Sequence, residues 1–476
     1  MTYLFVGAGQ AGSAIVDAVF DYTSDSTLGI FGEDDITALA EPLVFNSTIR
    51  DLQNLRNVDA EAQFGIAEQH GLVDGNTAGF EEQVTGGFGR DPVKADEVMT
   101  DHYDELVARL EERFGASATA VTDGGDAEWS QQDDDWSRTD EAVEDDPGGG
   151  FDEGVEDEFA SADDEFGTDT TGGVAGGAPT EQEEIQFAFV CLGLGGGTGC
   201  GIAPSIVDAI HDYTNGRADV VVLGILPNTM GEVTGESGED AAGAGRQAWN
   251  ARYGLNRLED RAEGIVLVDN QRISYQAAAE SQFSEYNEYV AAGIYDLVAG
   301  PILSGVDPSD YDDIDTPDID VQDIVTSLSF GVGTSESKAG YAAIGRSATM
   351  TRSLPGYLLP FVGKQDVDSA ALVRLATSKQ SVADLDPADA QKAIGLVRAP
   401  SSYLSGTGRR VETSTIREYL QAQCSLQEVN LGVALHDRRL ATVTTLLTYE
   451  REDVARIREI EEKAAAYEEQ TEAMIQ

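Results

Sequence analysis

The chain has 476 residues, with 87 Asp and Glu against 30 Lys and Arg, for a formal charge of −57. That balance excludes a nucleic-acid partner and direct binding to an anionic membrane as expectations, because both need clustered Lys and Arg. No apolar run approaches the roughly 18 residues that span a bilayer, the first residues lack the basic start of a signal peptide, and Cys191, Cys200 and Cys424 make neither a disulfide framework nor a CxxC pair, so a cytoplasmic protein is expected.

In chain order, residues 3–6 form a short apolar strand that runs into Gly7-Ala8-Gly9-Gln10-Ala11-Gly12 and then a helix carrying Ile15, Val16 and Val19. Residues 43–45 read as a second strand ending in Asn46. Residues 91–114 read as one helix, with Asp91 as N-cap and Pro92 in its first turn. From 123 to 184 the chain holds 23 acidic residues and one base, Arg138, with glycine runs and few aliphatics. That composition cannot offset chain entropy by burial, so the stretch is expected to be disordered. It is either a salt-adapted surface insertion or an acidic interaction segment with an unidentified partner. Lysine is scarce elsewhere too, which suits a salt-rich cytoplasm where carboxylates hold hydration and salt screens their repulsion.

Strands follow at 186–193, 220–226 and 265–268, with a helix at 203–213 between the first two. This alternation predicts a parallel sheet covered on both faces. Residues 281–298 form a long, mostly buried helix. Beyond about residue 318, strand candidates at 341–344, 429–435 and 441–447 mix with helices, ending in a charged helix from Arg451. A second, α+β domain is expected there.

Three motifs carry chemistry. The first, Gly7 to Gly12, is a formal GxGxxG between a strand and a helix. It fits a nucleotide-binding loop, a Rossmann dinucleotide fingerprint or a tight packing turn. A dinucleotide site wants an acid after the second strand, and Asn46 stands there instead. The second is Gly195-Gly196-Gly197-Thr198-Gly199-Cys200-Gly201. Glycines let backbone N–H groups approach phosphate, a following helix adds free donors, and Thr198 adds a hydroxyl. No lysine follows, so backbone, helix dipole and Mg²⁺ would carry the phosphate charge. The third is Asp320-Val321-Gln322-Asp323, whose carboxylates fall one helical turn apart.

At these residues the sequence resembles the tubulin/FtsZ superfamily of GTPases. GGGTGCG resembles its GGGTG(S/T)G signature and GAGQAG its first glycine loop. The resemblance implies that GTP or GDP, with Mg²⁺, is held by Gly9, Gln10, Ala11, Gly12, Gly195, Gly196, Gly197, Thr198 and Gly199. Asn46 would open the second nucleotide loop, and Gly75 and Asn76, after Asp74, the third. Gln10 and Asp74 would lie near the metal. Glu239 and Arg246 would reach the sugar edge. Asn270 and Asn287 would hydrogen-bond the guanine, with Phe283 stacked on it. Asp320 and Asp323 would act in the next subunit's site, positioning a water against the terminal phosphate. Asp318 departs from an asparagine common in the family, which leaves slow hydrolysis open.

Within the superfamily the sequence is most similar to the haloarchaeal CetZ-like branch, on GQAG, LGILP, Asn250-Ala251-Arg252 and the VDN strand end. The implied fold is α/β. Residues 1–280 would be a parallel-sheet GTPase domain (123–184 inserted), 281–300 a central helix, and 318–476 a C-terminal α+β domain. The implied activity is GTP hydrolysis coupled to head-to-tail protofilament assembly, with a role in archaeal cell shape or envelope organisation. A paralogue that binds nucleotide but polymerises weakly, and an NAD(P)-binding enzyme, are the alternatives.

Overall fold

The structure, a computed structural model, describes residues 2–24, 36–84, 86–115, 185–229, 238–271, 279–298, 319–331, 337–351, 366–405, 411–424, 429–435 and 440–475. The acidic stretch 123–184 and Asp318 lie outside the described residues. Residues Met1–Phe114 and Glu183–Gln476 make up one compact unit.

The strands are β1 (Thr2–Ala8), β2 (Ala40–Asn46), β3 (Gln63–Ala67), β4 (Gly71–Asp74), β5 (Ile185–Gly193), β6 (Asp219–Leu226), β7 (Gly264–Asp269), β8 (Ser329–Phe330), β9 (Lys338–Met350), β10 (Lys392–Ala399), β11 (Val429–Leu435) and β12 (Leu440–Tyr449). They form one sheet in the order β11-β10-β12-β9-β7-β6-β5-β1-β2-β3-β4, with β8 beside β9. From β3 to β7 every neighbouring pair is parallel. β9 continues the sheet parallel to β7, and β12 then runs antiparallel to both β9 and β10.

From β1 the chain winds outward to β4, then returns to build β5, β6 and β7 on the other side of β1. Winding direction therefore reverses between β1 and β5. In such sheets the crevice outside the strand ends at that reversal is where ligands bind. β5 is buried at seven of its nine positions, and β6 at seven of eight, the near-continuous apolar run of a strand covered on both faces. The Gly9–Ser24 helix packs on β1, β5 and the Ala279–Val298 helix, while the Gly197–Thr214 helix packs on Pro92–Asp101 and Gly238–Leu258.

The helix expected over 91–114 is broken. It runs from Pro92 to Asp101, stops at His102 (φ −112°, ψ 22°) and restarts over Tyr103–Gly115. The His102 imidazole fits against Gly71, where a Cβ would come within 2.4 Å of the ring, and its Nδ1 lies 3.1 Å from Glu105 Oε2. Tertiary contact thus overrides a helical pattern that is continuous in sequence. The helix expected at 203–213 begins earlier, at Gly197, so the second glycine motif forms its first turn.

Candidate functional site

A cavity of about 580 Å³ opens at the carboxyl ends of the parallel strands, a size usual for small-molecule sites, roughly 300–1,000 Å³. The turn after β1 contributes Ala8, Gly9, Gln10 and Ala11; the segment after β2 contributes Asn46, Ser47, Thr48 and Asp51. Gly193, Gly195, Gly196, Gly197, Thr198 and Gly199 follow β5, Pro227 and Asn228 follow β6, and Asn270 follows β7. Most of the expected phosphate-loop residues therefore meet at the sheet's reversal point.

The geometry explains two of the glycines. Gly9 has φ +70°, a left-handed turn that L side chains rarely adopt. A Cβ on Gly12 would sit 2.0 Å from the Cys191 carbonyl oxygen, so only glycine lets this helix lie so close on β5. Gly12 itself does not line the cavity but sets the approach of the turn that does.

The loops are tied to one another. Ser47 Oγ and Thr198 Oγ1 are 2.7 Å apart. The fully buried Asn250 donates from Nδ2 to Arg90 O (3.1 Å) and to Gly195 O (3.2 Å). Arg246 does not line the cavity, but its Nη2 donates to Gly89 O at 2.9 Å. Cys200 donates to Leu194 O at 3.0 Å, and burial pushes its thiol well above the ordinary range. Burial likewise raises the Cys191 thiol to about 12, so neither acts as a thiolate.

Other expected residues fall elsewhere. Asp74, Gly75 and Asn76 do not line the cavity. β4 is the outermost strand, and Asp74, opposite Phe64 on β3, is ion-paired with Arg109 at 3.2 Å. The lining expected there comes instead from Gly86, Gly87, Phe88, Gly89 and Arg90. The segment GGFGRDP repeats the signal of the other two loops, glycines followed at once by a helix start, with Asp91 accepting from Val93 N at 3.1 Å. Asn287 is half-buried on the Ala279–Val298 helix and is not part of the lining. The side chains of Glu239 and Phe283 lie outside the described residues.

For a hard cation such as Mg²⁺, which takes one or two carboxylates beside phosphate and water oxygens, the fit is at Asp51 and Gln10. Burial raises the Asp51 carboxyl, and the Asn46 amide and Arg50 offset this in part. Asp74 does not line the cavity and is paired with Arg109, and among the described residues no group of three or more His, Cys, Asp or Glu stands ready to hold a metal unaided.

Sequence reasoning also missed Arg456. From the C-terminal Ala455–Ile475 helix it donates to Asp269 Oδ2 (3.0 Å) and Pro227 O (2.8 Å), pinning the ends of β7 and β6 beside Asn270. Burial raises the Asp269 carboxyl, and the Arg456 charge opposes that rise. No local signal marks Arg456, because its partner lies 187 residues away.

Asp320 stands at the opposite pole. It borders a second cavity of about 640 Å³ with Tyr3, Ile185, Arg217 and Asp219, at the amino ends of β1, β5 and β6. Asp320 and Asp323 form a capping box: Asp323 N donates to Asp320 Oδ1 (2.9 Å) and Asp320 N to Asp323 Oδ2 (3.2 Å). Burial raises the Tyr3 phenol, and the Asp320 charge adds to the rise.

No protein-family model matches the chain. Over 134 residues it is 36% identical to the tubulin-like protein CetZ2 of Haloferax volcanii and 29% identical to the cell division protein FtsZ 1 of Pyrococcus horikoshii, in each case 27% of this chain and 32% of the relative. The chain thus spans about a third of the length of the curated relatives it matches. Solved structures share its fold, two CetZ proteins among them. CetZ1 from Haloferax volcanii, a GDP-bound monomer, superposes with a TM-score of 0.60 at 17% identity, covering 98% of this chain and 100% of that one. CetZ2 from the same organism, a GTPγS-bound protofilament, gives 0.59 at 18% identity, covering 99% and 100%. Among the described residues no helix is long and apolar enough to cross a membrane.

Proposed function

We propose that this chain, a member of the tubulin/FtsZ superfamily, binds GTP in the cavity at the strand ends and hydrolyses it between subunits stacked head to tail. One observation carries the reading. The phosphate-type loops and the Asp320–Asp323 pair sit at opposite ends of the same strands: Gly193 lines one cavity and Ile185 the other. The nine residues of β5 span about 26 Å. A carboxylate that far away cannot reach its own nucleotide, which supports a role in a neighbour's. Stacking of this kind is a heterologous contact that does not close.

In this reading residues 1–280 bind nucleotide, and the helix at 281–300 links them to 318–476. Backbone N–H groups of Gly9–Ala11 and Gly195–Gly199 hold the phosphates, and Asn270 reads the guanine edge with both donor and acceptor; Asn287, on the central helix, does not line the cavity. Gln10 and Asp51 would hold Mg²⁺, which would supply charge neutralisation. Asp323, with Asp320 beside it, orients a water in the adjoining subunit's site, the positioning that phosphoryl transfer chiefly needs. The cellular role would be cytoskeletal, in cell shape or envelope organisation.

The dinucleotide alternative is disfavoured by Asn46. It is buried, and its Oδ1 accepts from Thr48 N at 3.3 Å, so no carboxylate stands where a ribose would need one. A second reading, nucleotide binding with slow turnover, draws support from the capping box, because both acids already accept from the main chain. Nucleotide extracted from purified protein, and light scattering in concentrated KCl with and without GTP, test these readings. Bound guanine nucleotide with a GTP-dependent rise is expected. Bound NAD(H) without guanine nucleotide would overturn the assignment; guanine nucleotide without a rise would leave the slow paralogue.

A further inference from the structure

The C-terminal Ala455–Ile475 helix reaches the β6–β7 side of the cavity through Arg456. That side chain is buried, and all three nitrogens of its guanidinium are engaged. Nε donates to Asp269 Oδ2 (3.0 Å), Nη2 to Pro227 O (2.8 Å), and Nη1 to Thr229 Oγ1 (3.1 Å) and to Glu459. Thr229 is buried as well. Its hydroxyl donates to Glu459 Oε1 (2.9 Å), and its carbonyl accepts from Lys463 Nζ (2.5 Å) of the same helix. Neutralising Asp269 would need only one of these contacts. The others fasten a second loop.

The contacts bracket two residues of the cavity. Asn228 lines it between Pro227 and Thr229, both of which Arg456 holds. Asn270 lines it between Asp269 and Gln271. There Asp269 Oδ1 accepts from Gln271 N at 3.0 Å, closing an Asx turn with Asn270 at its middle. β6 and β7 are neighbours, about 5 Å apart, so the two asparagines meet the same end of a ligand. A guanidinium can span both loops because its donors fan out in a fixed fork, whereas a lysine ammonium is a point.

We infer that Arg456 is a positioning residue for base recognition, aligning Asn228 and Asn270 so that their amides select guanine, an inference that rests on the guanine-nucleotide reading of this cavity. An amide distinguishes bases only while its donor and acceptor are held against the groups that differ between them. Loosening the two loops costs those bonds and leaves the phosphate contacts on the glycine loops. The C-terminal helix thereby belongs to the specificity of the site, although it contributes no lining residue.

The test is equilibrium titration of the full chain, in concentrated KCl, with GDP and with inosine diphosphate, which lacks only the 2-amino group of guanine. The ratio of the two affinities reads the base edge and not the phosphates. Wild type should prefer GDP. Arg456→Lys keeps a charge beside Asp269; it should lower GDP affinity about tenfold and inosine diphosphate affinity no more than about threefold. Placed on Asn270→Ala, it should cost markedly less than it does alone, because the two act through one contact. Thr229→Val removes one hydroxyl and leaves Arg456 on Asp269, so it serves should Arg456→Lys fail to fold; it should narrow the same ratio. Equal loss for both nucleotides, unchanged affinities, or full additivity with Asn270→Ala would overturn the inference, as would wild type that binds both nucleotides equally. Wild type that binds neither would instead defeat the reading of the cavity itself.

Discussion

Asn250 bridges two of the loops that build the cavity. Fully buried, it bonds the carbonyls of Arg90 and Gly195 from one amide and so sets the spacing of two loops. Asn250→Ala leaves both carbonyls unmatched, which costs about 1–3 kcal/mol. Denaturant midpoints should show that loss, accompanied by weaker nucleotide binding. Asp323 makes a different prediction. Asp323→Asn keeps an oxygen to accept from Asp320 N, so helix capping survives. Nucleotide affinity should stay at the wild-type level while GTP turnover disappears, read by phosphate release. Lost binding would contradict a site completed by the neighbouring subunit. At this scale the sequence displayed Asp320, Asp323 and the glycines of two loops. It did not display Asn250's role, which depends on a partner 160 residues away.

Among the elements, the Gly9–Ser24 helix rests on β5 through Gly12. Gly12→Ala would drive a methyl to 2.0 Å from the Cys191 carbonyl. Backbone cannot swing aside as a side chain does, so a destabilisation of about 3 kcal/mol is expected, measurable by thermal unfolding. The Ala279–Val298 helix is clamped to the later strands by Asp296. The fully buried Asp296 meets Arg346 Nε on β9 (2.7 Å), Arg398 Nη1 on β10 (2.5 Å) and Thr444 Oγ1 on β12 (2.8 Å). Burial alone would raise its carboxyl, but Arg346 and Arg398 outweigh that and hold it below the ordinary value. A depressed carboxyl stabilises the fold above its unfolded pKa, about 3.9, and loses that contribution as pH falls through the folded value. Asp296→Asn should therefore cost about 3 kcal/mol near neutral pH, and the gap from wild type should narrow as pH drops below about 4. Denaturant titrations across pH check this. The sequence signalled both helices, the first through its apolar periodicity at Ile15, Val16 and Val19 and the second as a long, mostly buried run. The break at His102 was hidden, because it follows from contact with Gly71 rather than from local propensity.

For the molecule as a whole, the two cavities at opposite poles set the expectations. Subunits that carry −57 each repel when stacked, and the Debye length is only about 3 Å at 1 M salt. GTP-dependent light scattering should therefore rise steeply with KCl and vanish in dilute buffer. The long acidic stretch returns to the sheet at Ile185, which borders the pole opposite the phosphate loops. Deleting 123–184 should leave GTP affinity within tenfold, or about 1.4 kcal/mol, by equilibrium titration.

The sequence by itself determined the α/β alternation, the two glycine loops after β1 and β5, and the acid pair that opens a helix. Each is a local pattern: glycine spacing encodes backbone freedom, and apolar periodicity encodes which face is buried. Tertiary structure alone decided which loops converge. Gly75 and Gly86–Gly89 look alike as glycine signals, but β4 forms the sheet's edge and holds Asp74 against Arg109, while the later segment folds back against Gly197. The ties from Asn250 to Arg90 and from Arg456 to Asp269 likewise arise only after the sheet has ordered its strands, since hydrogen bonds between distant residues are set by register and packing and not by spacing along the chain.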